Sequence, residues 1–355
     1  MGSIAPKRAW VTLLTRASYL AGTILLAHSL SVQDSTYPLL ILYTPSSLPS
    51  SLVATLRKEA SRSNALLQAI KPLHPVTKEE MTLIASRFED TWTKLRVFEL
   101  HDQGWERLVF LDADMLCLRN MDELFDLPLP LSVVEGKLRK GILANHACVC
   151  NLDGDDWAPS DWRRENCAFT PCVHPGALTH PPKVPSVDDR EGKRTHRLLN
   201  SGLFVFEPNK STWQDMLQFI KDEKELLKKM KFPDQDFLAE FFKGRWRSVG
   251  WQYNALKTWR YWHTEMWRDD EVRNLHYIVD KPWNERVGND GVAGYRGRDG
   301  ATHQWWWKEF EKWEGQRRAE GHKEILDLMS QHVARPLQHV QSPESLHAKS
   351  DGQSR

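Results

Sequence analysis

The stretch RLVFLDADMLCLRNMDELF, residues 107–125, decides the fold prediction for this chain of 355 residues. Its first five residues, Arg107–Leu111, are apolar enough to form a strand that is buried on both faces, as strands of parallel sheets are. That strand runs directly into Asp112, Ala113 and Asp114. Because ligands bind beyond the carboxyl ends of strands in open α/β sheets, we expect a functional site at these three residues.

Short apolar runs alternate with helical patterns on the amino-terminal side of this strand. The patterns predict strands at 9–14, 38–43 and 65–70 and helices at 19–30, 52–60 and 78–100. Such alternation indicates an α/β fold with a mainly parallel sheet and helices on both faces.

Residues 145–199 have a different character, rich in Asp, Pro, Gly, His and Cys and with little periodicity. We interpret them as an irregular insertion, a lid or acceptor-facing excursion, within a single domain that spans residues 1–335. Regular structure is predicted to resume with a strand at 203–206 and helices at 211–230, 233–242 and 305–318. The Ser-, Gln- and His-rich tail, residues 336–355, is predicted to be disordered.

Composition limits the partners that this protein can have. Lys and Arg total 48 against 47 for Asp and Glu, so there is no basic excess to suggest a nucleic-acid partner. No apolar run is long enough to span a membrane, and residues 9–30 are typical of a strand and a helix and not of a targeting segment. A cytoplasmic location is therefore expected. The 16 Trp residues are several times the usual share; they either fill a core and support loops or, for some of them, stack on a ring-shaped ligand.

Cysteines concentrate in the predicted insertion. The five cysteines are Cys117, Cys148, Cys150, Cys167 and Cys172, of which the last four lie close together between His146 and His174. Without a secretory signal we expect reduced thiols. Two interpretations stay open, ordinary thiols or a structural zinc site, and the spacing departs from the usual short Cys-x2-Cys knuckle.

Asp112 and Asp114 point to metal chemistry. Two carboxylates two residues apart in an extended turn repel each other unless a cation lies between them. A divalent ion resolves the repulsion and also bridges the phosphates of a nucleotide. Taken alone, the tripeptide is equally compatible with two solvated turn aspartates.

Further motifs follow along the chain in a fixed order. They are Asn200-Ser201-Gly202, Asp234-Gln235, Tyr253-Asn254, and His276 ahead of Lys281-Pro282-Trp283, with a strand that carries Thr12 and a helix position, Lys94, upstream. Together with residues 107–125, this ordered set resembles glycosyltransferase family 8, which includes glycogenin and galactinol synthase. The resemblance spans about residues 9–285 and is far more specific than any single motif.

The resemblance implies a GT-A fold, in which a Rossmann-like, nucleotide-binding mixed sheet is flanked by helices. It implies a retaining transfer of a hexose from UDP-glucose or UDP-galactose to the hydroxyl of a small or lipid-like acceptor. Mn²⁺ would be bound by Asp112, Asp114 and His276, a set of oxygen and nitrogen ligands that suits this ion.

The resemblance also assigns the remaining site residues. The donor would contact Thr12, Lys94, Asp112, Ala113, Asp114, Asn200, Ser201, Gly202 and Lys281. The catalytic residues would be Asp234, Gln235 and Lys281. Lys281 would stabilise the charge that builds on the UDP leaving group, and Asp234 would act electrostatically in a front-face route. One departure is that only five positions separate His276 from Lys281, without the family's usual Gly.

Other functions could use the same aspartates or the same fold. A nucleotidyltransferase or phosphohydrolase would need a Gly-rich phosphate loop near the first strand, and residues 9–21 contain none. An inactive protein of the same fold that binds carbohydrate or a nucleotide sugar is a second alternative. A third is a glycogenin-like primer that glucosylates itself, for which Tyr261 is the candidate residue. Dimers are the commonest assembly, so a homodimer is one of the oligomeric states that the sequence allows.

Overall fold

The computed structural model describes residues 7–80, 86–134, 136–189 and 192–336. Its strands are β1 Arg8–Leu14, β2 Leu39–Tyr43, β3 Ala65–Ala69, β4 Arg107–Leu111, β5 Met115–Cys117, β6 Leu131–Val134, β7 Lys137–Lys140, β8 Ile142–His146, β9 Leu199–Phe206, β10 Trp246–Ser248, β11 Ala255–Leu256 and β12 Asn274–His276. Its α-helices are α1 Leu20–Val32, α2 Ser50–Arg62, α3 Gly176–Thr179, α4 Lys210–Asp222, α5 Lys224–Leu227, α6 Pro233–Phe241, α7 Trp259–Trp262, α8 Gly300–Ala319 and α9 Lys323–Ser330. The 3-10 helices are Ala17–Tyr19, Lys78–Glu80, Ser86–Gln103, Asp122–Phe125, Arg164–Asn166, Arg194–Arg197, Trp251–Asn254, Asp269–Glu271, Pro282–Asn284 and Tyr295–Gly297.

A seven-stranded sheet in the order β10-β8-β9-β4-β1-β2-β3 forms the centre of the protein. Neighbours among β1, β2, β3 and β4 run parallel, whereas β9 runs antiparallel to both β4 and β8. The mixed sheet flanked by helices confirms the predicted fold class.

Side chains of β1 alternate between two hydrophobic cores, because successive residues of a strand face opposite sides of a sheet. Trp10 packs with residues of α1, α2 and α8 on one side of the sheet. Val11 packs on the other side with the 3-10 helix Ser86–Gln103, α4 and α6. Helices therefore cover both faces, which explains why the strands are as apolar as the sequence indicated.

Several predicted boundaries differ from the structure; the helix predicted at 305–318, for example, begins at Gly300. The helix predicted at 211–230 is two helices, because the chain leaves helical geometry at Glu223, which ends α4 and begins α5. The strand predicted at 203–206 begins four residues earlier, at Leu199. Its polar first half pairs with the end of β8, since Asn200 lies opposite Asn145.

A smaller sheet, β11-β12-β5, lies where the site was predicted. In it β12 runs antiparallel to β5, with His276 opposite Met115. Tyr277 N donates to Asp114 O at 2.9 Å, and Asp112 N donates to Gly202 O at 2.8 Å. These backbone bonds join the ends of β4, β9 and β12 around one point.

The predicted insertion, residues 145–199, runs from the end of β8 to the start of β9. Between β8 and β9 its described residues form only short helical turns: Arg164–Asn166, α3 and Arg194–Arg197. The predicted disordered tail lies outside the described residues from residue 337 onward. Within the described part of the chain, no helix combines the length and apolar character needed to cross a membrane.

Candidate functional site

A cavity of about 440 Å³ lies beyond the carboxyl ends of β1 and β4. Most of the predicted site residues line it, namely Lys94, Asp112, Ala113, Asp114, Asn200, Ser201, Gly202, Asp234, Gln235, His276 and Lys281. They come from the 3-10 helix Ser86–Gln103, the turn after β4, β9, α6, β12 and the loop that follows β12. The fold thus brings together residues that are far apart in sequence.

Asp112, Asp114 and His276 place their ligand atoms within 4.8 Å of one another. His276 Nε2 lies 3.3 Å from Asp114 Oδ1 and 3.9 Å from Asp112 Oδ2. The other ring nitrogen, Nδ1, lies 2.9 Å from Asn254 Oδ1, and Asn254 Nδ2 donates to Asn200 Oδ1 at 2.8 Å. Because the Asn254 oxygen can only accept, Nδ1 donates to it, and this hydrogen bond directs Nε2 toward the two carboxylates. This donor set fits a divalent ion that accepts oxygen and nitrogen ligands.

Gly202 allows the imidazole to occupy this position. A Cβ atom at residue 202 would lie 2.4 Å from His276 Cε1, closer than real contacts allow. Any side chain there would displace His276, so the glycine serves close approach.

Lys281 and Asp114 form a buried ion pair on one side of the group. Lys281 Nζ donates to Asp114 Oδ2 and, at 2.7 Å, to Tyr277 O. Burial alone would raise the pKa of Asp114, but Lys281 and His276 outweigh it and hold that pKa well below its usual range. Asp114 is therefore ionised at every physiological pH.

Lys94 joins two carboxylates on the other side. Its Nζ lies 2.8 Å from Asp112 Oδ1 and 2.6 Å from Asp234 Oδ2, and it donates at 3.3 Å to Ser201 O. Burial disfavours the charged amine, but Asp112 and Asp234 outweigh it and raise the pKa of Lys94 above its usual value. Burial raises the pKa of Asp112, in contrast to that of Asp114. One lysine thus ties the end of β4 to the start of α6.

Asp234 faces the cavity and not the end of its own helix. The backbone N–H groups of Lys231 and Phe232 donate to Asp236 Oδ2 at 2.9 and 3.0 Å, so Asp236 holds the turn that leads into α6. Asp234 Oδ2 accepts from Lys94 and, at 2.7 Å, from Ser201 Oγ. A further hydrogen bond of 3.3 Å, from Asn200 Nδ2 to Gln235 Oε1, orients the next side chain.

Thr12 is the predicted site residue that the structure does not bring to the cavity. It is fully buried within β1, and its Oγ1 has no hydrogen-bond partner among the described residues. Leu13, Thr15 and Arg16 line the cavity instead, and Arg16 Nε donates to Asp90 Oδ2 at 2.5 Å. The position of Thr15 and Arg16 after β1 is the signal that could have identified them.

Aromatic residues of the insertion form a wall that the sequence did not locate. Trp162 stacks on Phe232 with ring centroids 5.9 Å apart, and Trp157 meets Trp162 edge-on at 5.5 Å. Tyr295, from the Gly-rich segment 288–300, also lines the cavity and donates to Asp155 Oδ2 at 3.4 Å. The excess of Trp indicated ring stacking, but no periodicity marked these particular residues.

The structure also shows where Tyr261 and the cysteines of the insertion lie. Tyr261 donates toward Asp299 Oδ1 at 3.5 Å, and it is not among the described residues that line the cavity. Cys172 Sγ donates to Ala168 O at 3.7 Å, away from the other cysteines of the insertion. The structure gathers those three, Cys148, Cys150 and Cys167, around His263 instead.

Comparisons with known proteins agree with this geometry. The family model described as glycosyl transferase family 8 matches residues 10–286. Galactinol synthase 2 of Arabidopsis thaliana is 27% identical over 281 residues, which cover 78% of this chain and 73% of that protein.

Two solved structures share the fold. The glycosyltransferase GlyE of Streptococcus pneumoniae matches with a TM-score of 0.51 and 18% identity over 85% of this chain and 60% of that chain. The galactosyltransferase LgtC, solved with donor and acceptor sugar analogues, matches with a TM-score of 0.50 and 16% identity over 84% of this chain and 94% of that chain. At these identities the likeness concerns the GT-A fold alone. Because the family model covers most of its length, the chain belongs to glycosyl transferase family 8 and is a glycosyltransferase.

Proposed function

We propose that this glycosyltransferase moves a hexose from UDP-galactose or UDP-glucose to the hydroxyl of a small acceptor, with retention of configuration and dependence on Mn²⁺. The observation that carries the proposal is the convergence of Asp112, Asp114 and His276 between two buried lysines, Lys94 and Lys281, in one cavity. The similarity to galactinol synthases favours UDP-galactose as the donor and myo-inositol as the first acceptor to test.

The carboxylates and the imidazole are the residues that would hold the ion. A divalent metal bound there supplies positive charge to the diphosphate of the donor. The hydrogen bond from His276 Nδ1 to Asn254 fixes the orientation of the imidazole, so Nε2 would face the ion. Hard oxygen ligands with one nitrogen favour Mn²⁺ over softer metals.

Lys281 is assigned to the leaving group. Its ammonium is buried beside Asp114 at the edge of the cavity, so it requires little reorganisation to donate to a phosphate oxygen. Preorganised N–H donors aimed at developing negative charge are among the largest contributions to catalysis. We expect Lys281 to stabilise UDP as the bond to the sugar breaks.

Asp234 is assigned to electrostatic stabilisation and not to nucleophilic attack. Its Oδ2 accepts from Lys94 at 2.6 Å and from Ser201 at 2.7 Å, which fixes the carboxylate and reduces its nucleophilicity. Positive charge that develops at the anomeric carbon is then balanced by Asp234. The acceptor hydroxyl attacks from the face that UDP leaves, and its proton passes to the departing phosphate oxygen. Gln235, oriented by Asn200, would hold the transferred sugar.

The test is UDP release from purified protein that is offered a panel of UDP-sugars with Mn²⁺, with and without myo-inositol. We expect one donor to turn over, with activity lost in EDTA and in Asp114→Asn. The anomeric coupling constant of the product, read by NMR, should match that of the donor. An inverted product, or UDP release that is unaffected by both EDTA and Asp114→Asn, would contradict the proposal.

A covalent intermediate is the competing route to retention. Intact mass spectrometry of wild type and of Gln235→Ala during turnover would show a hexose adduct if a carboxylate were the nucleophile. We expect no adduct on Asp234. An adduct mapped to Asp234 would contradict the front-face route. It would not contradict the assignment of the donor site.

A further inference from the structure

Four side chains outside the donor site converge on one point. Cys148, Cys150, Cys167 and His263 place their Sγ and nitrogen atoms within 4.8 Å of one another. His263 Nε2 lies 3.6, 3.2 and 3.6 Å from the sulfur atoms of Cys148, Cys150 and Cys167 respectively. Cys150, Cys167 and His263 are buried, and Cys148 is partly exposed.

These distances are those of a tetrahedral metal site. Zinc binds sulfur at about 2.3 Å and imidazole nitrogen at about 2.0 Å, and the tetrahedral angle then sets nitrogen and sulfur roughly 3.5 Å apart. A hydrogen bond accounts for at most one of the three contacts, because a ring nitrogen carries one proton or one lone pair. Three sulfur atoms around one nitrogen therefore call for a shared partner.

We propose that Cys148, Cys150, Cys167 and His263 form a structural zinc site of the Cys3His type. The ligands are soft thiolates, which select zinc, whereas the carboxylates of the donor site suit Mn²⁺. Four protein ligands complete the tetrahedron and leave no position for substrate, so the role is structural. A disulfide between two of the cysteines would not explain why the third thiol and the imidazole lie at the same point.

The site would anchor the insertion to the segment that follows α7. Other contacts run along the same junction: Arg164 Nη1 donates to Trp262 O at 2.7 Å, and the rings of Phe169 and Trp259 lie 4.3 Å apart. Cys148 and Trp262 both line the cavity. The insertion has little regular structure that could hold its side of the cavity in place. A metal cross-link at this point would provide that support.

Metal analysis of the purified full-length chain tests the site. We expect about one zinc per chain, lost in Cys150→Ser, Cys167→Ser and His263→Ala and retained in His263→Cys, which restores a fourth thiolate. Cys172→Ser is the matched control, because Cys172 lies in the same insertion outside the group. Asp114→Ala should also retain the zinc, which separates this site from the donor site.

A spectrum of the unmutated protein covers the case in which the variants do not fold. Cobalt(II) exchanged for zinc should give thiolate-to-metal charge transfer and the strong visible bands of tetrahedral cobalt. The proposal is overturned if the purified chain holds no zinc and takes up neither zinc nor cobalt while its thiols are reduced. Loss of the metal in Asp114→Ala, or a disulfide among the three cysteines, would overturn it equally.

Discussion

The two walls of the cavity are built in different ways. The donor wall, named for its proposed ligand, carries Lys94, Asp112, Asp114 and Asp234 and stands at the end of the seven-stranded sheet. The insertion wall, formed by described residues between β8 and β9, has only short helical turns as regular structure. The charged groups thus lie on the regular part of the fold, and the aromatic side chains of the cavity lie on an irregular segment.

The largest effect is expected on the donor wall. Asp114→Asn keeps the shape of the side chain but removes the charge that pairs with Lys281 and faces His276. We expect kcat to fall by about 10²–10³ or more, because preorganised charge is lost at the reacting diphosphate. Steady-state kinetics with the preferred UDP-sugar measure it.

The matched control lies in the insertion wall. Asp161 pairs with Arg194 at 2.6 Å, and both side chains are well exposed. Asp161→Asn should leave kcat within about a factor of two, since exposed ion pairs contribute at most ~1 kcal/mol. If kcat fell equally in Asp114→Asn and Asp161→Asn, the proposed difference between the two walls would be wrong.

Lys94→Met tests how far the donor wall depends on buried charge for its stability. The variant leaves the buried Asp234 and the partly buried Asp112 without their cation, which costs about 3–5 kcal/mol of unfolding free energy. Urea unfolding measures the loss. Lys58→Met is the control, because Lys58 pairs with Glu324 on the surface and should cost less than ~1 kcal/mol. A cost below ~1 kcal/mol at Lys94 would contradict the argument.

A buried network behind both walls predicts a pH dependence. Lys257 Nζ donates to Asp299 Oδ2 and, at 3.0 Å, to Asp280 O beside Lys281, while Tyr295 N donates to Asp299 Oδ2 at 2.7 Å. Within it, burial together with Lys257 lowers the pKa of His303 from 6.5 to about 3. The unfolded chain binds a proton at His303 between pH 6.5 and 3, whereas the folded chain does not.

His303 therefore contributes stability that is complete above pH 6.5 and is lost as the pH falls toward 3. The loss is about 5 kcal/mol over that whole window and about 3 kcal/mol between pH 6.5 and 4. Thermal or urea unfolding of wild type and His303→Gln from pH 7 to 4 measures it, and the difference between the two proteins isolates this residue. Parallel pH profiles would show that His303 is not the group responsible.

The smallest effect is expected on the insertion wall. Cys167→Ser should increase the rate of tryptic cleavage between residues 147 and 198 by about tenfold, the consequence of losing ~1.4 kcal/mol of local stability. The KM for the acceptor should rise more than the KM for the UDP-sugar, because the donor wall keeps its sheet. Cys172→Ser should cleave as wild type does. Cleavage that spreads to the sheet strands would mean that the two walls do not move independently.

The residues of the donor wall could be proposed from the sequence because their signals are local. Apolar strands that end in carboxylates are visible in a few consecutive residues, and the order of the motifs supplied the family. Side chains of β1 alternate between the two faces of the sheet, and Thr12 is fully buried on one of them. The resemblance had nevertheless assigned Thr12 to the donor. The break at Glu223 has no Pro or Gly to announce it.

The sequence was sufficient to predict the α/β class and the family, and it supplied the residues that we propose for the donor site. Only the tertiary structure decided which groups meet: Lys94 with Asp112 and Asp234, and three cysteines with His263 in place of Cys172. His263 lies far along the chain from the cysteines, in a segment without periodicity. Contacts of that kind depend on how the whole chain packs, and the composition of a short stretch carries no trace of them.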